Sequence, residues 1–153
     1  MNEPNAQRSR LARPIAGARA AAFAAWTVFI LIATLMSDPT ATAAGGRLAA
    51  LLAALGIPEV VGAKAFHFAA YALWMWLLTG LLAAGYRRPL APRTALVCVA
   101  LLLGMSATQE ALQYINPTRH PALFDFGVNM AGGLACLGAR PWMARSGGRA
   151  VEG

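Results

Sequence analysis

From Ala65 to Tyr86 the chain runs for 22 residues without an Asp, Glu, Lys or Arg. A helix rises about 1.5 Å per residue, so a run of this length reaches across a hydrocarbon layer about 30 Å thick. Few water-soluble folds could hide it. The surrounding composition agrees: 58% of the 153 residues are hydrophobic and 12% are charged, where a soluble domain carries about 25% charged residues. The length suits one domain, and lipid is its natural solvent.

Three more apolar stretches can be set beside this run. Ala20 to Met36 is just long enough to span. Its Arg-rich approach and the following Ala41–Ala43 also resemble a secretory signal, but its length favours a retained anchor. Thr94 to Ile115 and Ala122 to Ala139 are apolar but interrupted by polar residues. The expected fold class is all-α: a four-helix transmembrane bundle with spans at about 20–36, 65–86, 94–115 and 122–139. Residues 1–19 are expected as a disordered basic tail, and residues 140–153 as a second basic tail. Between the first two spans, Gly46 to Gly56 is too short to cross and predicts a short extracytoplasmic helix, stopped by Gly56 and Pro58.

The net charge of +7 does not signal nucleic acid, because the cations flank apolar runs instead of forming a basic face. With both termini in the cytoplasm, ten of the 13 Lys and Arg fall inside; Arg47, Lys64 and Arg119 fall outside. This is the positive-inside pattern. Four of the six acids, Asp38, Glu59, Glu110 and Asp125, fall outside. Cys98 and Cys136 fit no zinc or redox spacing and are expected as small, inert packing residues. Trp74, Trp76 and Phe68 are likewise expected as packing residues, and His120 as a solvated loop residue.

The polar residues within the spans gather at one end. Lys64, His67 and Tyr71 share one helical face, within about 60° of each other. Ser106, Glu110 and Gln113 do the same near the end of the third span. Asp125, Asn129, Gly132 and Cys136 form a stripe on the fourth, whose small residues suit close helix approach and a central position. Ionisable groups in a span cost roughly 2.5–3.5 kcal/mol at the helix centre, so they turn inward and pair. The expected object is a polar pocket open to the outer surface between the second, third and fourth spans. Asn116 to Pro121 joins the last two spans and sets Arg119 over the mouth.

Three segments then show a pattern. KAFHFAAYAL, SATQEALQ and PTRHPALFDFGVNMAGG resemble the K-x-x-H-F-x-x-Y, S-x-x-x-E-x-x-Q and P-x-R-x-x-x-x-x-D-x-x-x-N-x-x-G motifs of the VanZ-like family. The matching positions are Lys64, His67, Phe68, Tyr71, Ser106, Glu110, Gln113, Pro117, Arg119, Asp125, Asn129 and Gly132. The resemblance runs from about Trp26 to Gly138. It implies a multi-pass protein of the bacterial inner membrane, in a family named for a member linked to teicoplanin resistance. It supplies no biochemical activity.

Two functional expectations compete. In the first, an enzyme acts on a lipid-linked or cell-envelope substrate: Lys64 and Arg119 hold a phosphate or pyrophosphate, His67 or Glu110 serves as general base, Asp125 orients the imidazole or a cation and Tyr71 donates a proton. Ser106, Gln113 and Asn129 complete the substrate contacts. In the second, the pocket binds or shields a lipid headgroup, an envelope precursor or an amphiphilic drug without turnover. A purely structural polar cluster is the bland alternative. Transport is disfavoured because the inner halves of the spans lack charges. The cations beside Glu110, Asp125 and His67 disfavour a metal, and no cofactor is expected. Membrane lipids or a lipid-linked precursor are the expected partners.

Overall fold

The computed structural model describes residues 3–36, 43–83, 90–116 and 122–149. All regular structure among them is helical: α1 (Glu3–Leu35), α2 (Ala43–Ala54), α3 (Glu59–Leu82), α4 (Pro92–Tyr114) and α5 (Leu123–Arg149). Three segments are long and apolar enough to cross a membrane: Ile15–Leu35, Glu59–Leu82 and Pro92–Tyr114. The lipid-like exterior fits this. Phe29, Ile32, Leu96, Val97 and Leu101 all point outward, an apolar exposure that soluble monomers avoid.

Several boundaries differ from expectation. The segment expected as a disordered tail is helical from Glu3; Ala and Arg, which recur there, are strong helix formers. The helix of the second span begins at Glu59, with Pro58 as N-cap and the acid of Glu59 favourably placed in the first turn. Lys64 therefore lies inside α3 and not at its edge. The last helix continues through Pro141 to Arg149 instead of ending at Ala139. α5 is the least apolar of the long helices after α1 and is not among the three candidate spans.

The short helix ends as its sequence predicts. Gly56 adopts φ +69°, and the Gly56 and Ile57 amides donate to the Ala53 and Leu52 carbonyls. That double bond pattern satisfies carbonyls the helix leaves open, and it favours glycine at the left-handed position. Leu52 then packs on α3 at Gly62.

α3, not the last helix, is the central element: it packs against α1, α2, α4 and α5, and most extensively against α5. α1 touches the bundle through a narrow stripe, Phe23, Trp26, Thr27, Ile30 and Thr34, while most of its surface between Ile15 and Leu35 is exposed. Trp26 donates to the Ala70 carbonyl (3.0 Å), Trp74 donates to Thr27 Oγ1 (3.0 Å), and Phe23 packs on Trp74 with centroids 5.4 Å apart. Buried Trp N–H groups need such partners. The core continues through Met75, Leu78, Cys98 and Leu102.

α5 reaches α3 at Gly132. A Cβ there would overlap the Phe68 carbonyl oxygen and stand 2.9 Å from its carbon. Gly133 similarly admits Leu102 of α4. The expected close approach of the small-residue stripe is thus observed. One end of the bundle is pinned by Asn116, whose amide donates to the Leu35 carbonyl (3.1 Å) at the end of α1.

Candidate functional site

The polar faces of α3, α4 and α5 meet at the end of the bundle that holds Leu35 and Asn116. They form two rows. In the outer row, Lys64 on α3 makes an ion pair with Asp125 in the first turn of α5. The lysine side chain is 30% exposed and the aspartate 13%. The ammonium also lies 5.6 Å from the Phe124 ring centroid. One turn inward, His67 Nδ1 stands 3.1 Å from Asn129 Oδ1.

The inner row is closed. Tyr71, Ser106, Gln109, Gln113 and Asn129 are all buried. Tyr71 donates its hydroxyl proton to Gln109 Oε1 at 2.5 Å, and Asn129 Nδ2 donates to the same oxygen at 3.2 Å. Gln109 Nε2 lies 3.5 Å from His67 Nδ1. One glutamine thus touches a residue from α3 and another from α5. In a low-dielectric interior such a chain is strong when every member is satisfied. Ser106 is fully buried with its Oγ outside any hydrogen bond.

Glu110 has a different task from its neighbour Gln109. Its Oε2 accepts the Ala122 N–H (3.0 Å), the residue just before α5. A carboxylate there complements both the open N–H groups and the positive end of the helix. Glu110 also lies within electrostatic reach of Asp125, His67 and Lys64. A shallow groove of about 350 Å³, lined by Ala107, Glu110, Ala122, Leu123 and Phe126, runs along the α4–α5 seam beside it.

The expected open pocket is therefore corrected in form. Tyr71, Ser106, Gln113 and Asn129 lie in a packed layer that excludes solvent. Lys64, His67, Glu110 and Asp125 are half-buried as residues, and Glu110 Oε1 is itself buried and outside any hydrogen bond. Lys64 is matched by Asp125. Asp125 holds the lysine, and it is Asn129 that holds the histidine. Pro117, Arg119 and His120 lie outside the described residues, so the placement of Arg119 over the mouth does not enter the geometry. No group of three His, Cys, Asp or Glu suited to a metal occurs among the described residues.

Two polar residues had escaped the sequence pattern. Gln109 is the hub of the inner row, beside the Ser106, Glu110 and Gln113 face that the spacing predicts for α4. Its position lay in the same arc: three residues from Ser106 and four from Gln113. Arg140, expected in a solvated tail, is only 2% exposed. It stands within electrostatic reach of Cys98 and Cys136. Its signal was the continuation of the α5 stripe from Gly132 through Cys136, one turn further on. The part of the bundle away from Leu35 and Asn116 thus also holds a buried charged residue.

Compared with protein-family models, curated proteins and solved structures, the chain matches none. What it can do must be argued from its own groups.

Proposed function

We propose that the chain is a VanZ-like protein of the bacterial inner membrane, and that the α3–α4–α5 cluster is an outer-face site for the headgroup of a lipid or lipid-linked envelope compound. In this proposal α5 is the fourth span, both termini are cytoplasmic, and α2 lies on the extracytoplasmic side. The motif resemblance and the ten-to-three distribution of cations support the orientation.

The observation that carries the functional part is the division into two rows. A buried layer, Tyr71–Gln109–Asn129, holds His67 from below, while Lys64, His67, Glu110 and Asp125 keep partial access. Sites that act on ligands are built in this way, with accessible groups locked by a second layer of hydrogen bonds. Helix register alone would be served by the Lys64–Asp125 pair.

The test is a set of single substitutions at Lys64, His67, Glu110, Arg119 and Asp125. Each is scored for membrane abundance, for envelope lipid species in whole extracts, and for tolerance of lipoglycopeptides such as teicoplanin. Normal abundance with an altered lipid profile or tolerance supports a site. Loss that tracks abundance at every position would make the cluster structural.

A further inference from the structure

The hydrogen bonds of the inner row carry a direction, and it ends on His67. Tyr71 Oη and the facing Gln109 atom are 2.5 Å apart. That separation falls in the O–H···O range of about 2.5–3.0 Å, with Gln109 Oε1 facing the hydroxyl. Of the other groups near the Tyr71 hydroxyl, the Met105 carbonyl is 3.4 Å away and weak, and the Ser106 hydroxyl stands close by. With Oε1 fixed as acceptor, the Asn129 atom facing it at 3.2 Å must be its NH2 group. Asn129 Oδ1 is then turned to His67 Nδ1 at 3.1 Å. An amide oxygen only accepts, so Nδ1 must carry the proton. The 3.5 Å approach of Gln109 Nε2 to the same nitrogen sets two donors face to face, and it is a contact, not a bond.

In neutral imidazole one nitrogen donates and the other accepts. Nε2 is thus the bare one. Among the described residues no hydrogen bond reaches it, and His67 as a whole is half-buried. Its neighbour in the outer row, Lys64, is already committed to Asp125.

We infer that the Tyr71–Gln109–Asn129 relay holds His67 as the Nδ1–H tautomer and presents Nε2 as an acceptor for a headgroup bearing an O–H or N–H donor. This rests on the proposed outer-face site and names its ligand chemistry: a hydroxyl or an ammonium group, not a bare phosphate. Gln109 is a positioning residue. It acts through Asn129, and its oxygen decides which way that amide faces.

The full chain carries two histidines, so His120→Gln leaves a single imidazole to observe by 15N NMR. In nanodiscs of phosphatidylcholine, which has no headgroup donor, and at a pH well above the ordinary imidazole value of about 6.5, His67 is expected to show a protonated Nδ1 and a bare Nε2. The reversed wiring forfeits the Tyr71 bond, so the preference should be roughly two- to tenfold. Asn129→Asp, which can only accept, must keep the same tautomer. Gln109→Met must move the ratio toward parity. A wild-type ratio near one, or a protonated Nε2, overturns the relay whatever the ligand.

The lipid arms are separate. Discs containing phosphatidylethanolamine or phosphatidylglycerol, which carry N–H and O–H donors, should shift the Nε2 resonance relative to phosphatidylcholine and leave Nδ1 in place. An Nδ1–H tautomer with Nε2 unmoved by both lipids overturns the acceptor assignment. Failure of the outer-face site itself would appear instead in the cellular lipid comparison.

Discussion

Gly132→Ala tests whether the approach of α5 to α3 is what assembles the polar rows. The new Cβ would overlap the Phe68 carbonyl oxygen and lie 2.9 Å and 3.1 Å from the Phe68 carbonyl carbon and Cα. Comfortable carbon contacts are about 3.5–4.0 Å. These are backbone atoms, which cannot swing aside, so α3 and α5 must part by roughly 1 Å. Overpacking of this kind costs about 1–3 kcal/mol. Alanine returns at most about 1 kcal/mol of helix propensity. Gly127→Ala, where a Cβ meets nothing within 4 Å, gives that gain alone and serves as the reference. The expected difference between the two variants is about 2 kcal/mol, or roughly thirtyfold in the folding equilibrium. Denaturing-detergent titration in mixed micelles, followed by tryptophan fluorescence, reads it; Trp26 and Trp74 sit in the α1–α3 seam. Gly132 is also one turn from Asn129, so the 3.1 Å contact to His67 should stretch beyond hydrogen-bond range. If Gly132→Ala unfolds at the same detergent fraction as Gly127→Ala, the close packing of Gly132 on Phe68 is wrong.

Three further outcomes follow from the same geometry. Asp125→Asn should cost about 1–3 kcal/mol by stranding the Lys64 ammonium, and Lys64→Met in that background should recover part of it, as a double-mutant cycle would show. Glu110→Gln keeps an acceptor for the Ala122 N–H and should leave stability nearly unchanged, whereas Glu110→Ala should lose about 0.5–2 kcal/mol of cap in the same titration. Trp74→Phe keeps the ring against Phe23 but drops the 3.0 Å bond to Thr27, so it should cost about 0.5–1.5 kcal/mol, a loss absent when Thr27 is already valine.

The transverse layout of this chain was more legible than its ends. Hydropathy and the 3.6-residue period were enough to find α3 and α4 and to put Lys64, His67 and Tyr71 on one face, because a polar group in lipid must turn inward. The same period should have included Gln109. An uncharged amide beside the charged Glu110 leaves a weaker signal, because the ionisable group carries the larger cost in lipid. Arg140 was misplaced because arginine usually marks a membrane edge; only its place on the Gly132–Cys136 stripe showed it to be internal. The helix from Glu3 and the continuation of α5 to Arg149 run against Pro14 and Pro141, residues that ordinarily end or kink a helix. What sequence could not show at all was direction. That Asp125 takes Lys64 while Asn129 takes His67 depends on how far α5 slides along α3, and Gly132 against Phe68 sets that distance.

The central claim is that the outer row receives a lipid headgroup. The most direct measurement is mass spectrometry of the lipids retained when wild-type protein and His67→Phe are extracted in native nanodiscs at equal yield. The account predicts that wild type retains a hydroxyl- or ammonium-bearing lipid above its proportion in the bulk membrane, and that His67→Phe retains it at the bulk proportion. Identical lipid profiles for the two proteins would contradict it.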